Sequence, residues 1–79
     1  MKDQLDNAAT SIVANIAEGA GEFSPNEKKR FYRMARRSAT EVAAWTDILV
    51  QRQQISVEVH AKLDAHLTSI VSMLVSLIK

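Results

Sequence analysis

The single proline of this 79-residue chain stands at position 25, and both glycines, Gly19 and Gly21, precede it. From Asn26 to Lys79, then, no residue obliges the backbone to break. A sandwich or barrel needs a turn signal roughly every 8 to 12 residues, so the spacing of the breakers predicts an all-α chain. At 8.8 kDa it is a single domain, residues 1–79, of a size at which one core supplies only a few kcal/mol. Cysteine is absent, which excludes disulfide staples and thiolate metal sites. Hydrophobic residues at 47% and charged residues at 24% are ordinary globular usage and argue against a disordered tail.

Punctuation and period divide the chain into three helices of an antiparallel bundle. The first is expected from about Asp3 to Glu18, with Leu5, Ala9, Ile12 and Ile16 on one stripe and Gly19 and Gly21 as its stop. Ser24-Pro25-Asn26-Glu27 then combines a serine cap, proline at the first helical position and glutamate three residues after the cap. From this cap a second helix can run to about Gln53, with Phe31, Ala35, Ser38, Val42, Trp45 and Leu49 as the seam of an antiparallel bundle. A turn through the Gln51 to Gln54 stretch leads to Ser56, the expected cap of a third helix reaching about Ile78. Leu63, Leu67, Ile70, Leu74 and Leu77 form its seam, widened by Val71 and Ile78. Folded back, this helix reaches residue 32 or so of the second, leaving the end that carries Lys28, Lys29 and Arg30 projecting. The far side of the third helix, Ala61, Ala65, Thr68, Ser72 and Ser76, has small residues where a solvated face carries Lys and Glu, so we expect self-association there.

The formal charge of +1 conceals an uneven distribution. Residues 1–24 set Lys2 against Asp3, Asp6, Glu18 and Glu22, whereas residues 25–54 set Lys28, Lys29, Arg30, Arg33, Arg36, Arg37 and Arg52 against Glu27, Glu41 and Asp47. On a helical projection Lys29, Arg33 and Arg36 fall within about 40° of the direction opposite the seam, with Arg30 and Arg37 beside them. Such a row can neutralise several phosphates of a nucleic acid, RNA or DNA; a solvated face is the alternative. Tyr32 is the aromatic nearest the row, while Phe31 and Trp45 read as core.

Other chemistry is poorly supplied. His60 and Asp64 share a helix face and His66 lies elsewhere, which makes two metal ligands at most, so no metal or cofactor is expected. No serine stands in a nucleophile-elbow setting, and the two glycines lack the third glycine and preceding strand of a dinucleotide site. Asn15, Glu18, Ser38 and Glu41 are read as structural polar residues, Asn15 bonding a neighbouring backbone group and Glu18 pairing with Arg36 or Arg37. Signal-peptide character is lacking at the N-terminus, and the uncharged run Leu67 to Ile78 is shorter than the roughly 20 apolar residues of a membrane span. A buried third helix in a cytoplasmic chain, with no membrane partner, is the expectation.

Ser11-Ile12-Val13-Ala14-Asn15-Ile16-Ala17-Glu18-Gly19, followed by Arg30-Phe31, Arg33, Ala35-Arg36, Ser38 and Glu41, resembles the four-helix-bundle proteins of the 23S rRNA intervening-sequence family. That family's pattern reads S-I-P-S-N-I-A-E-G, then R-F-x-R-x-A-R-x-S-x-x-E. The likeness extends from about Leu5 to Lys79. Val13 and Ala14 replace the usual Pro-Ser, so the family's kink in this helix is expected to be missing. By the same resemblance the chain is expected to start where the family's second helix does and to lack the usual first. The resemblance implies a ring-like homo-pentamer and a distant relation to the accessory variability protein of diversity-generating retroelements, a basic pentamer that binds nucleic acid and a reverse transcriptase. Residue by residue, Arg33 and Arg36 are the matching cations, and Asn15, Glu18, Ser38 and Glu41 match positions already read as structural. The expected function is that of a non-enzymatic oligomeric accessory factor contacting phosphates through Lys28, Lys29, Arg30, Arg33, Arg36 and Arg37. The alternative is a structural or protein-interaction module without a nucleic-acid role.

Overall fold

A computed structural model describes residues 2–79 and contains three α-helices, α1 (Lys2–Gly21), α2 (Pro25–Gln51) and α3 (Val57–Ile78). The all-α expectation is met. Ser24 caps α2 by accepting the Glu27 amide at 3.4 Å, and Ser56 caps α3 by accepting the Val59 amide at 3.1 Å. At its far end α2 closes earlier than its sequence suggested. The Gln53 amide donates to Val50 and the Gln54 amide to Leu49, with Gln53 in the left-handed region at φ 59°. This is the double hydrogen bond of a Schellman turn, made without the usual glycine.

The helices lie side by side in a slab of 44 × 23 × 13 Å with α2 in the middle. Both α1 and α3 pack on α2, and their backbones do not approach each other. One cluster joins Ala8 and Ile12 of α1, Ala39 and Val42 of α2 and Leu67 of α3; another joins Tyr32, Ala35 and Leu74, with Ile16, Ile70 and Ile78 against it. Because α2 serves two neighbours, its buried arc spans about 120° from Ser38 to Tyr32, wider than a single seam.

That width corrects several assignments. Tyr32 is buried, whereas Phe31, Trp45 and Leu49 are only partly covered. On α1 it is Ala8 that is buried and Ala9 that faces solvent, since α2 lies on the Ala8 side of Ile12. Gly19 is not a stop: the helix continues through Gly21, and Gly19 lies beneath the Tyr32 ring, where a Cβ would meet Tyr32 Cε1 at 2.6 Å. Residue 19 is glycine because the ring occupies the space of a side chain.

The expectation of a buried third helix is also corrected. Leu67 and Leu74 are the buried residues of α3, while Val59, Met73 and Leu77 are each about half exposed. By length and composition α3 could cross a membrane, with 11% of its most apolar window buried. Glu58, Lys62 and Asp64 occupy its first two turns, leaving a charge-free stretch over residues 65–78 of about 21 Å, short of the ~30 Å hydrocarbon core.

Candidate nucleic-acid interface

The six cations expected to act together are divided by the structure into two groups. Lys28 Nζ donates to the carbonyls of Gly19 at 3.1 Å and Ala20 at 3.2 Å, closing the C-terminal end of α1, where a cation also meets the negative end of the helix dipole. Arg30 pairs with Glu27, donating from Nη2 at 2.9 Å and Nε at 3.1 Å, and its guanidinium carbon lies 4.6 Å from the Phe31 ring centroid. Both side chains are committed within the chain. The sequence offered a signal for each: Lys28 follows the glycine-containing end of α1 by one short connection, and Glu27 stands three residues before Arg30.

Lys29, Arg33, Arg36 and Arg37 form the second group. The three arginines are exposed and Lys29 is partly so. Among the described residues the ion pairs are Arg30–Glu27 and His60–Asp47, so no carboxylate answers these four cations. Arg33, Arg36 and Arg37 line a shallow, open depression with Met34, Thr40 and Glu41. All six lining residues belong to α2, three of them arginines against the one carboxylate of Glu41, and the open shape suits a flat polyanionic backbone rather than an enclosed small molecule. The Thr40 hydroxyl is turned back onto the Arg36 carbonyl at 3.2 Å and adds no recognition of its own.

Tyr32 does not accompany the row, since its ring is buried between Gly19 and the Ala35–Leu74 cluster. Glu18 is exposed and makes no ion pair with Arg36 or Arg37 among the described residues. Glu41 sits at the edge of the arginine depression. Asn15 and Ser38 form a small buried polar network. Asn15 Nδ2 donates to the Ser11 carbonyl at 2.8 Å and to Ser11 Oγ at 3.0 Å, and Ser38 Oγ donates to Ser11 Oγ at 2.8 Å. The network ties α1 to α2 and leaves no buried side-chain polar atom of the described residues without a partner. Ser11 is its hub, a role the motif contained but periodicity could not assign.

His60 Nε2 lies 2.6 Å from Asp47 Oδ1, clamping the start of α3 to α2, rather than joining Asp64. The described residues contain no group of three His, Asp or Glu side chains placed to hold a metal ion.

The family described as 23S rRNA-intervening sequence protein matches residues 1–76 of the chain. No curated protein matches it. No solved structure matches it either.

Proposed function

The chain belongs to the 23S rRNA-intervening sequence protein family, and on that footing we propose that it is a non-enzymatic, self-associating helical protein that holds nucleic-acid phosphates on the outer face of α2. The observation that carries this reading is the presentation of Lys29, Arg33, Arg36 and Arg37 along one helix face with no carboxylate partner. Phosphate contacts release counterions, and four of them give a log–log salt slope of about −3.6 on duplex DNA, or roughly a 100-fold loss of affinity between 50 and 200 mM salt. Binding is largely independent of sequence, because a bare helix face without base-reading side chains meets only the backbone.

Surface area supports self-association. The accessible surface is 5432 Å², against about 4,800 Å² expected for a compact monomer of this mass. The radius of gyration is 13.4 Å, against about 11.6 Å by chain-length scaling. The excess of roughly 600 Å² per chain approaches the ~800 Å² that each partner contributes to a standard interface. Apolar side chains available to such an interface include Met73 and Leu77 of α3, each about half exposed, beside an α2–α3 groove lined by Ala43, Val71, Thr68, Ser72 and Asp64. Repeating the arginine row once per subunit turns weak contacts into a multivalent surface.

Fluorescence-anisotropy titration of a duplex and of a structured RNA at several salt concentrations tests the reading. Arg33→Glu with Arg36→Glu is expected to weaken binding at least tenfold and to flatten the salt slope by about 2. An unchanged slope with an intact oligomer would reduce the row to a solvated face. The second reading, a protein-interaction module, is favoured by the same exposed α3, and absence of binding at low salt would select it. Sedimentation at micromolar concentration is expected to show an oligomer; a well-folded monomer would remove the self-association.

A further inference from the structure

We infer that Phe23 is a stacking platform for an unpaired base, so that the preferred ligand of the α2 row is single-stranded nucleic acid or the single-stranded part of a folded one. This deepens, and rests on, the phosphate-binding reading above.

Phe23 is 98% exposed, more than any other large apolar side chain described, and belongs to neither core cluster. The backbone that carries it is nevertheless held on both sides. The connection between α1 and α2 is only residues 22–24, and it is tied at both ends. The Glu22 amide donates to Gly19 at 3.3 Å, Ser24 caps α2, and Lys28 Nζ reaches across to the last carbonyls of α1. A hydrophobic residue just before a helix cap commonly folds onto the fourth helical residue. Here that residue is Lys28, which is engaged with α1, so the ring has nothing apolar to cover it. The result is a bare aromatic ring on a short, hydrogen-bonded corner, whose backbone ordering cost is largely met before a ligand arrives.

The cations of α2 favour a nucleotide over an apolar peptide. Of the acids near Phe23, Glu27 is paired with Arg30, whose guanidinium lies over the Phe31 ring, while Glu22 makes no ion pair among the described residues and opposes a phosphate at that corner. Lys29 and Arg33 follow on the same helix at about 6 and 12 Å from Pro25 along the axis. An exposed aromatic ring at the N-terminal end of the helix that carries unpaired cations is a combination with which single strands are held, the cations on phosphates and the ring on a base. A duplex keeps its bases stacked on one another and offers nothing to Phe23 except at an end.

The test uses the full chain, a fluorescein-labelled 20-nucleotide oligo(U) and a 20-base-pair RNA duplex, titrated by anisotropy at low salt. Phe23→Ala, whose fold circular dichroism checks, is expected to weaken oligo(U) binding about 5- to 100-fold, with the salt slope unchanged and duplex affinity within about twofold. Phe23→Trp is expected to restore binding and Phe23→Leu is not, since leucine keeps the apolar surface without the π face. Phe23→Ala equal to the parent on oligo(U), or Phe23→Leu as good as the parent, overturns the stacking role while leaving the phosphate row standing if Arg33→Glu with Arg36→Glu still weakens both ligands. Absence of binding to either probe overturns the row and this inference together.

Discussion

The α1–α2 seam is built from small and polar residues that come very close, whereas α3 brings the most apolar sequence in the chain and buries little of it. Gly19 under Tyr32, Ala8 in one buried cluster with Ala39 and Val42, and the Ser11–Ser38 hydrogen bond let α1 approach tightly and fix its register. On the other flank Leu74 is the largest side chain wholly removed from solvent, while Leu77, one turn on, is 46% exposed. Hydrophobicity sets how much a helix can gain by burial; the neighbours decide how much it does gain. A slab one helix deep supplies α3 with a neighbour on one side only, so the rest of its apolar surface stays exposed.

The comparison breaks most sharply at Leu74. Leu74→Ala is expected to cost about 2–5 kcal/mol, enough to unfold a domain of this size. Leu77→Ala should shift the midpoint of dilute-protein melts little and reduce the mass seen by sedimentation. If the two substitutions had equal effects on the dilute chain, the contrast between inner and outer faces of α3 would be wrong.

On the α1 side Gly19→Ala is expected to lose about 1–3 kcal/mol by forcing Tyr32 out of place, whereas Gly21→Ala, with nothing within 4 Å of its new methyl, should gain about 0.5–1 kcal/mol of helix preference. Opposite signs in chemical denaturation would establish that the first glycine is there for packing. Ser38→Ala is expected to cost about 0.5–1.5 kcal/mol through loss of its bond to Ser11. That effect should vanish in a Ser11→Ala background, a double-mutant cycle that measures how far polar contact pins this seam. The smallest expected change is a gain: Gln53→Gly relieves a left-handed residue and should stabilise the chain by up to about 1 kcal/mol, read as a raised thermal midpoint. No change would mean that Gln53 carries little strain at the end of the α2–α3 connection.

Local chemistry made much of this molecule legible in its sequence. Ser24-Pro25-Asn26-Glu27 and Ser56 begin their helices because the signals act within four residues of chain, and the outward position of Arg33, Arg36 and Arg37 follows from helical period once any seam is known. The motif around Asn15 and Ser38 pointed to the family whose match covers residues 1–76. What period could not supply is the angle between the two helices resting on α2. That angle, a property of three surfaces meeting at once, moved the core from Phe31 to Tyr32, chose Ala8 over Ala9 and turned Gly19 from a breaker into a packing surface. It also removed Lys28 from the cationic row and gave it the open carbonyls of α1, because a long side chain is claimed by whichever partner the fold brings within about 3 Å.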